Sequence, residues 1–166
     1  MPTFFRYIQP PAICSEIKAI VVGILKKTAD MKQKIREASI NFCLYLSHQS
    51  PVGPEFMVEQ VLHELDSIQN EVKEPAQDKE SNHATTFGNS HMITSSLGLL
   101  NEYQLQTQIL SPERDTPTLL KKFMDQINMG LKHSNPQVRK EAEKLFKTLY
   151  CSFGQQLEPL LVDQKP

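Results

Sequence analysis

The sequence predicts an all-α protein, an α-solenoid of about three helical hairpins. Two observations point to this class. Apolar residues recur at helical spacing in six segments, which are separated by turns or loops rich in Pro, Gly, Asn, Asp or Ser. In addition, "KIREASINFCLYL" and "QVRKEAEKLFKTL" share one residue pattern, which indicates an internal repeat.

Composition and charge exclude several classes of function. The chain has 166 residues and a formal net charge of -1, so we expect one core and neither a nucleic-acid nor a membrane partner. Cys14, Cys43 and Cys151 lie far apart with no CxxC pair, which argues against a disulfide framework or a zinc site. We therefore expect a chain of the reducing cytoplasm that holds no metal and no cofactor.

The first hairpin is predicted from two apolar stripes. Ser15 is the expected N-cap of the first helix, and Asp30 with Gln33 has the spacing of a capping box for the second. The stripe of the first helix is Ile17, Ile20, Val21, Ile24 and Leu25, and that of the second is Ile35, Ala38, Ser39, Phe42, Cys43 and Leu46. We expect both stripes to face the core.

The second hairpin is predicted to have a long loop between its helices. Its helices are expected over 54–68 and 90–108, with the stripes Val58, Val61, Leu62, Leu65 and Ile93, Leu97, Leu100, Tyr103. The segment 69–89 has few large apolar residues, so we expect a mobile loop there. Such a loop is either a binding element or a neutral insertion, and its composition favours the insertion.

The third hairpin has the clearest helix signals. Thr116 can cap a helix with Pro117 at its first position, and Asn135 with Pro136 can start the next. The stripes are Leu120, Phe123, Met124, Ile127, Leu131 and then Val138, Ala142, Leu145, Phe146, Leu149, Phe153. "HSNP" is therefore read as a tight corner between two antiparallel helices.

The internal repeat aligns the second helices of the first and third hairpins. Its matched pairs are Ile35 with Val138, Arg36 with Arg139, Ser39 with Ala142, Phe42 with Leu145, and Leu46 with Leu149. The small residue lets neighbouring helices approach. The arginine can reach acids or carbonyls in the loop of the next repeat.

These motifs resemble a known family. "QVRKEAEKLF", preceded by "GLKHSNP", resembles the second helix of a HEAT repeat. "ILKKTADMKQKIREASINFCLYL" is similar to repeats in the later half of TOG domains, most of all to that of a centrosomal protein of the ciliary tip. The resemblance spans 15–153 and implies HEAT-like hairpins that form part of a TOG-type array. The expected organisation is an extension or cap at 1–14, a repeat domain at 15–154 and a tail at 155–166.

The resemblance also implies a function. TOG domains bind tubulin through the turns inside their hairpins, and Arg36 and Arg139 match an interior arginine with a structural role. The residues that would then face tubulin are Lys26, Lys27, Lys32, Lys34, His133, Asn135 and Lys140. The implied location is the cytoplasm and cytoskeleton, at the centrosome or centriole and the cilium, where other centrosomal or ciliary proteins are further candidate partners.

Enzymatic function is not expected, and a second non-enzymatic function stays open. The chain has no P-loop, GxGxxG or GxSxG, and "VLHELDS" lacks the second His of a zinc protease motif. The alternative is a HEAT-type scaffold that binds another protein and not tubulin. Its signature is apolar residues left exposed on the first and last helices. "MPTFFRYIQPPAI" either caps the first hairpin or marks a docking site.

Overall fold

The computed structural model describes residues 10–49, 52–73, 82–113 and 117–161. This part of the chain contains no strand and has six α-helices followed by a 3₁₀ helix. The α-helices are α1 (Pro10–Lys27), α2 (Gln33–Ser47), α3 (Gly53–Lys73), α4 (Asn82–Thr107), α5 (Pro117–Leu131) and α6 (Pro136–Phe153), and the 3₁₀ helix is Gly154–Leu161. The predicted all-α class is confirmed. Within the described residues, no helix is both long and apolar enough to cross a membrane.

The helices associate in consecutive pairs, which we call the first pair (α1 and α2), the second pair (α3 and α4) and the third pair (α5 and α6). The second pair lies between the other two: α3 contacts α1 and α5, and α4 contacts α2 and α6. Among the described elements, neither helix of the first pair packs against the third pair. The 3₁₀ helix packs against α5 and α6.

One continuous apolar core runs through all three pairs. The predicted stripes of the second pair are fully or almost fully buried, and so are the central stripe residues of the third. Leu120, Leu131 and Phe146 lie at the edge of this core and are partly buried. The prediction of core residues is therefore confirmed for four of the six helices, and removal of these side chains from water is what stabilises the assembly of weak individual helices.

The first pair departs from its predicted stripes. Val21 and Leu25 of α1 are buried, but Ile20, Ile35, Ala38 and Phe42 are exposed. The face of α2 that points inward carries Ser39 and Cys43, as predicted, together with Ser47. The prediction was wrong for these residues because α2 carries apolar residues on two sides, and Ile40 and Leu44, which the predicted stripe left out, pack against the core.

Helix starts in the first pair also differ from the prediction. α1 begins at Pro10 and not at Ser15, since proline is tolerated in a first turn whose amide groups have no helical partner. The N-cap of α2 is Lys32, whose side chain makes no capping hydrogen bond. Asp30 acts from two residues upstream, because its Oδ1 accepts a hydrogen bond from the Lys32 amide at 3.0 Å.

The expected loop at 69–89 is wrong at both ends. α3 continues to Lys73 and α4 begins at Asn82, so 69–73 and 82–89 are helical. Extending a formed helix fixes one residue per new hydrogen bond and needs no buried side chains, which is why polar composition did not stop these helices. The middle part of the expected mobile loop, 74–81, lies outside the described residues.

The expected tail at 155–166 is structured in its first part. Residues up to Leu161 form the 3₁₀ helix, and Leu157 is fully buried beside the third pair. Thr116, the predicted cap of α5, and most of the predicted extension at 1–14 lie outside the described residues. α5 begins at Pro117 as expected.

Candidate binding surfaces

The turn between α1 and α2 is held by its own backbone and side chains. The Nη1 group of Arg36 donates to the carbonyl oxygens of Asp30 and Met31, at 2.8 and 2.9 Å. Asp30 accepts from the Lys32 amide and pairs with Lys27, whose Nζ lies 3.4 Å from its Oδ2. Each of these bonds closes within the turn, and α4 holds the start of the turn, because the Ser95 hydroxyl donates to the carbonyl oxygen of Thr28 at 2.8 Å.

Four lysines give this turn a positive surface, which we call the basic turn (Lys26, Lys27, Lys32 and Lys34). All four are exposed. Lys27 pairs with Asp30, and the other three ammonium groups have no carboxylate within ion-pair distance among the described residues. The hydrogen bond from the Lys32 amide, aided by the charges of Lys27 and Lys32, lowers the pKa of Asp30. The basic turn is thus a cluster of largely uncompensated cations on a rigid support.

The turn between α5 and α6 repeats this architecture with different side chains. Arg139 donates through Nη1 to the carbonyl oxygens of His133 and Ser134, both at 2.7 Å. His133 Nδ1 accepts from the Asn135 amide at 3.0 Å, as Asp30 accepts from Lys32. Asn135 caps α6 through a 2.9 Å hydrogen bond from the Gln137 amide, as predicted. Burial, with a smaller contribution from the charge of Arg139, lowers the pKa of His133.

The structure therefore distinguishes the two groups of residues that the resemblance assigned to tubulin. The four lysines of the basic turn are exposed and lie at the end of α1, in the turn and at the start of α2. In the third pair, His133 and Asn135 use polar side-chain atoms inside the turn, while Lys140 is exposed on α6. Both arginines bind carbonyls of their own turn, whereas the sequence pattern led us to expect the loop of the next repeat.

A second surface was not predicted as a site. Exposed side chains of the first pair, on the side away from the second pair, form what we call the open flank (Ile20, Ile35, Ala38, Phe42 and Tyr45). The rings of Phe42 and Tyr45 lie 6.2 Å apart between centroids. The sequence does contain a signal for it: "INFCLYL" is too rich in apolar residues for one face of a helix to bury them all.

The described residues offer little for metal or nucleophile chemistry. They contain no group of three or more His, Cys, Asp or Glu side chains arranged to hold a metal ion. Burial raises the pKa of the Cys43 thiol to about 12, which disfavours the reactive thiolate. Cys151 is a free, exposed thiol.

Comparisons with family models, with curated proteins and with solved structures found no match to this chain.

Proposed function

We propose that this chain is a non-catalytic protein-binding module, a short solenoid of three helical hairpins that binds tubulin through its basic turn. The resemblance to TOG domains suggests tubulin as the partner, and centrosomes and cilia as the place. The observation that carries the proposal is the cluster of exposed lysines on a turn whose geometry is fixed by Arg36 and Asp30.

The contacts between helices support the solenoid arrangement. In a solenoid each repeat packs only against its neighbours. The second pair contacts both other pairs, and among the described elements the first and third pairs do not contact each other. The first and third pairs also use equivalent arginines to close equivalent turns. Both features are expected of stacked copies of one hairpin.

The charge of the basic turn supports an acidic partner. Tubulin has an acidic surface, and exposed charges on one partner chiefly accelerate encounter and fix register with the other. Because the chain as a whole is nearly neutral, this effect depends on the local cluster and not on net charge. Binding of this kind is screened as the Debye length shortens with added salt.

The alternative function, a HEAT-type scaffold that does not bind tubulin, is favoured by a separate observation. A terminal repeat normally presents a polar outer face. Here the open flank presents large apolar side chains on the first pair, which is the signature that distinguishes the scaffold hypothesis. The two functions use different surfaces, so variants of each surface can separate them.

The experiment is size-exclusion co-elution of the purified chain with soluble tubulin at low and at moderate salt. The test variant is Lys32→Glu/Lys34→Glu, and the matched control is Lys121→Glu/Lys122→Glu, which reverses two exposed charges on α5. We expect a complex that moderate salt and the test variant remove and that the control retains. A folded chain that stays unbound at low salt, or a complex that both double variants weaken equally, contradicts tubulin binding through the basic turn.

A further inference from the structure

The open flank presents four large apolar side chains to solvent. Its large side chains are exposed to fractions of 58% for Ile20, 37% for Ile35, 43% for Phe42 and 56% for Tyr45. Ala38 lies among the exposed side chains of α2 and is itself exposed. The four members on α2 are spaced three or four residues apart and so lie on one face of the helix. Apolar side chains grouped in this way mark sites of protein association more often than single exposed apolar residues do.

The third pair shows what such a surface does in this fold. Arg36 of the first pair is equivalent to Arg139 of the third. The same alignment matches the helix starts, Gln33 and Pro136. The residues equivalent to Ile20, Ile35 and Phe42 are then Phe123, Val138 and Leu145, and all three are fully buried. Three of the five positions of the open flank are therefore core positions in the third pair.

Polar contacts identify which neighbour covers these positions. Gln126, equivalent to Gly23, exchanges hydrogen bonds with Asp66 and Gln69 of α3, both at 2.7 Å. Thr148, equivalent to Tyr45, donates to Asn101 of α4 at 2.6 Å. In the third pair this flank therefore packs against the second pair. The open flank is the same helix-packing surface without a helix on it in the described part of the chain.

The opposite end of the molecule is built differently. The residues of α6 equivalent to Ile40 and Leu44 are Glu143 and Lys147, which are exposed and charged. In α2 those two positions pack against the core. The 3₁₀ helix adds a cover over α5 and α6. A second molecule could not stack head to tail through this charged end without burying unpaired charges.

We propose that the open flank is a homodimer interface, in which α2 of one copy packs antiparallel to α2 of a second copy about a two-fold axis. A two-fold interface uses the same patch on both molecules, so one apolar flank is sufficient. The small side chain of Ala38 allows the two helices to approach closely. This dimer goes beyond the proposed tubulin binding, since it uses a different surface.

Charge favours this antiparallel orientation. Lys32 and Lys34 lie at the start of α2, and its last turn contains no basic residue. α2 has 15 residues, so antiparallel packing separates the two basic ends by roughly 22 Å, from a rise of about 1.5 Å per residue. Each basic end then lies beside the carbonyl end of the partner helix, which carries partial negative charge. A parallel pair would bring the like charges together.

The test is sedimentation velocity of the full chain over roughly 1 to 200 μM, the range suited to micromolar dissociation constants. The disruptive variant is Phe42→Glu. The matched control is Tyr150→Glu on α6, where an exposed ring stacks 6.0 Å from Phe146 much as Phe42 does from Tyr45. Tyr45→Ala is a milder flank variant that circular dichroism should show to be folded even if Phe42→Glu is not.

We expect a monomer–dimer equilibrium in the wild type, weakened at least about tenfold by either flank variant and unchanged by the control. A wild type that is monomeric throughout overturns the proposal. Self-association that the flank variants do not weaken, or that the control weakens equally, also overturns it. The Lys32→Glu/Lys34→Glu chain should dimerise more weakly than the wild type, because its basic ends become acidic beside the carbonyl end of the partner helix. Phe42→Glu and Tyr45→Ala leave those lysines in place, so failure of dimerisation and failure of tubulin binding are separate results.

Discussion

The first and third helix pairs have nearly the same turn and very different flanks. In both pairs an arginine closes the turn on two carbonyl oxygens, and a side chain six positions before that arginine accepts a backbone amide hydrogen bond. Yet Leu145 is fully buried and its equivalent Phe42 is half exposed. The turn is determined by residues close in sequence, whereas burial is determined by what lies next to the pair in space.

The largest expected contrast comes from shortening the two equivalent flank residues. Leu145→Ala should destabilise the chain by about 2–5 kcal/mol, because it removes buried methyl groups and leaves a cavity. Phe42→Ala should cost no more than about 1 kcal/mol, because much of the ring is already in water. Urea unfolding at a concentration too low for dimers measures both values. Equal losses would contradict the difference in burial between the flanks.

A second contrast uses Gly130 of the third pair, whose equivalent in the first pair is Lys27. A Cβ at Gly130 would lie 2.7 Å from the Cβ of Ala142, so α5 and α6 approach too closely there for any side chain. Gly130→Ala should therefore destabilise by about 1–2 kcal/mol, since overpacking costs more than the gain in helix propensity. Lys27→Ala, at the equivalent exposed position, should change stability by less than about 0.5 kcal/mol. Stabilisation by Gly130→Ala would show that the two helices can separate without cost.

A third prediction concerns what the two pairs share. Arg36→Lys and Arg139→Lys keep the charge but lose Nη1, whose two N–H bonds are held in the guanidinium plane and reach both carbonyl oxygens. The free energy of unfolding of each variant should fall by about 1 kcal/mol. The two losses should be similar because the two turns are alike. Thermal denaturation of the two variants and the wild type measures this. If only one variant is destabilised, the turns are not equivalent.

The sequence predicted the all-α class and the approximate position of its six helices because most of its signals are local. Asn135 with Pro136 marks a helix start through bonds that close within three residues, and the matched arginines act within their own turns. The open flank could not be predicted in the same way. Phe42 and Leu145 occupy equivalent apolar positions, and only the placement of the second pair separates the buried residue from the exposed one. The expected loop failed for a related reason, because helix extension does not require burial.

The smallest expected effect lies in the pH dependence of the two turns. Asp30 and His133 have equivalent roles as acceptors but titrate in different ranges. Burial and the charge of Arg139 lower the pKa of His133 from its ordinary value of 6.5, so the unfolded chain binds this proton more tightly than the folded one. The contribution of His133 to stability is then fully present above pH 6.5 and falls as the pH decreases from there towards the folded-state pKa. Protonation also removes Nδ1 as the acceptor for the Asn135 amide.

His133→Asn tests this, because asparagine supplies an acceptor oxygen and has no charge to gain. In urea titrations we expect the free energy of unfolding of the variant, relative to that of the wild type, to rise slightly as the pH is lowered from 7.5 to 5. Asp30→Asn is the control from the first pair: the pKa of Asp30 is lowered from 3.8, so its contribution is lost only as the pH falls below that value. A wild type and a His133→Asn variant that keep a constant stability difference from pH 7.5 to pH 5 would contradict titration of the third turn. Asp30 is present in both of these chains, so its titration cancels from that difference. It is seen only when the wild type is compared with Asp30→Asn below pH 3.8, so the two comparisons separate the proton chemistry of the two turns.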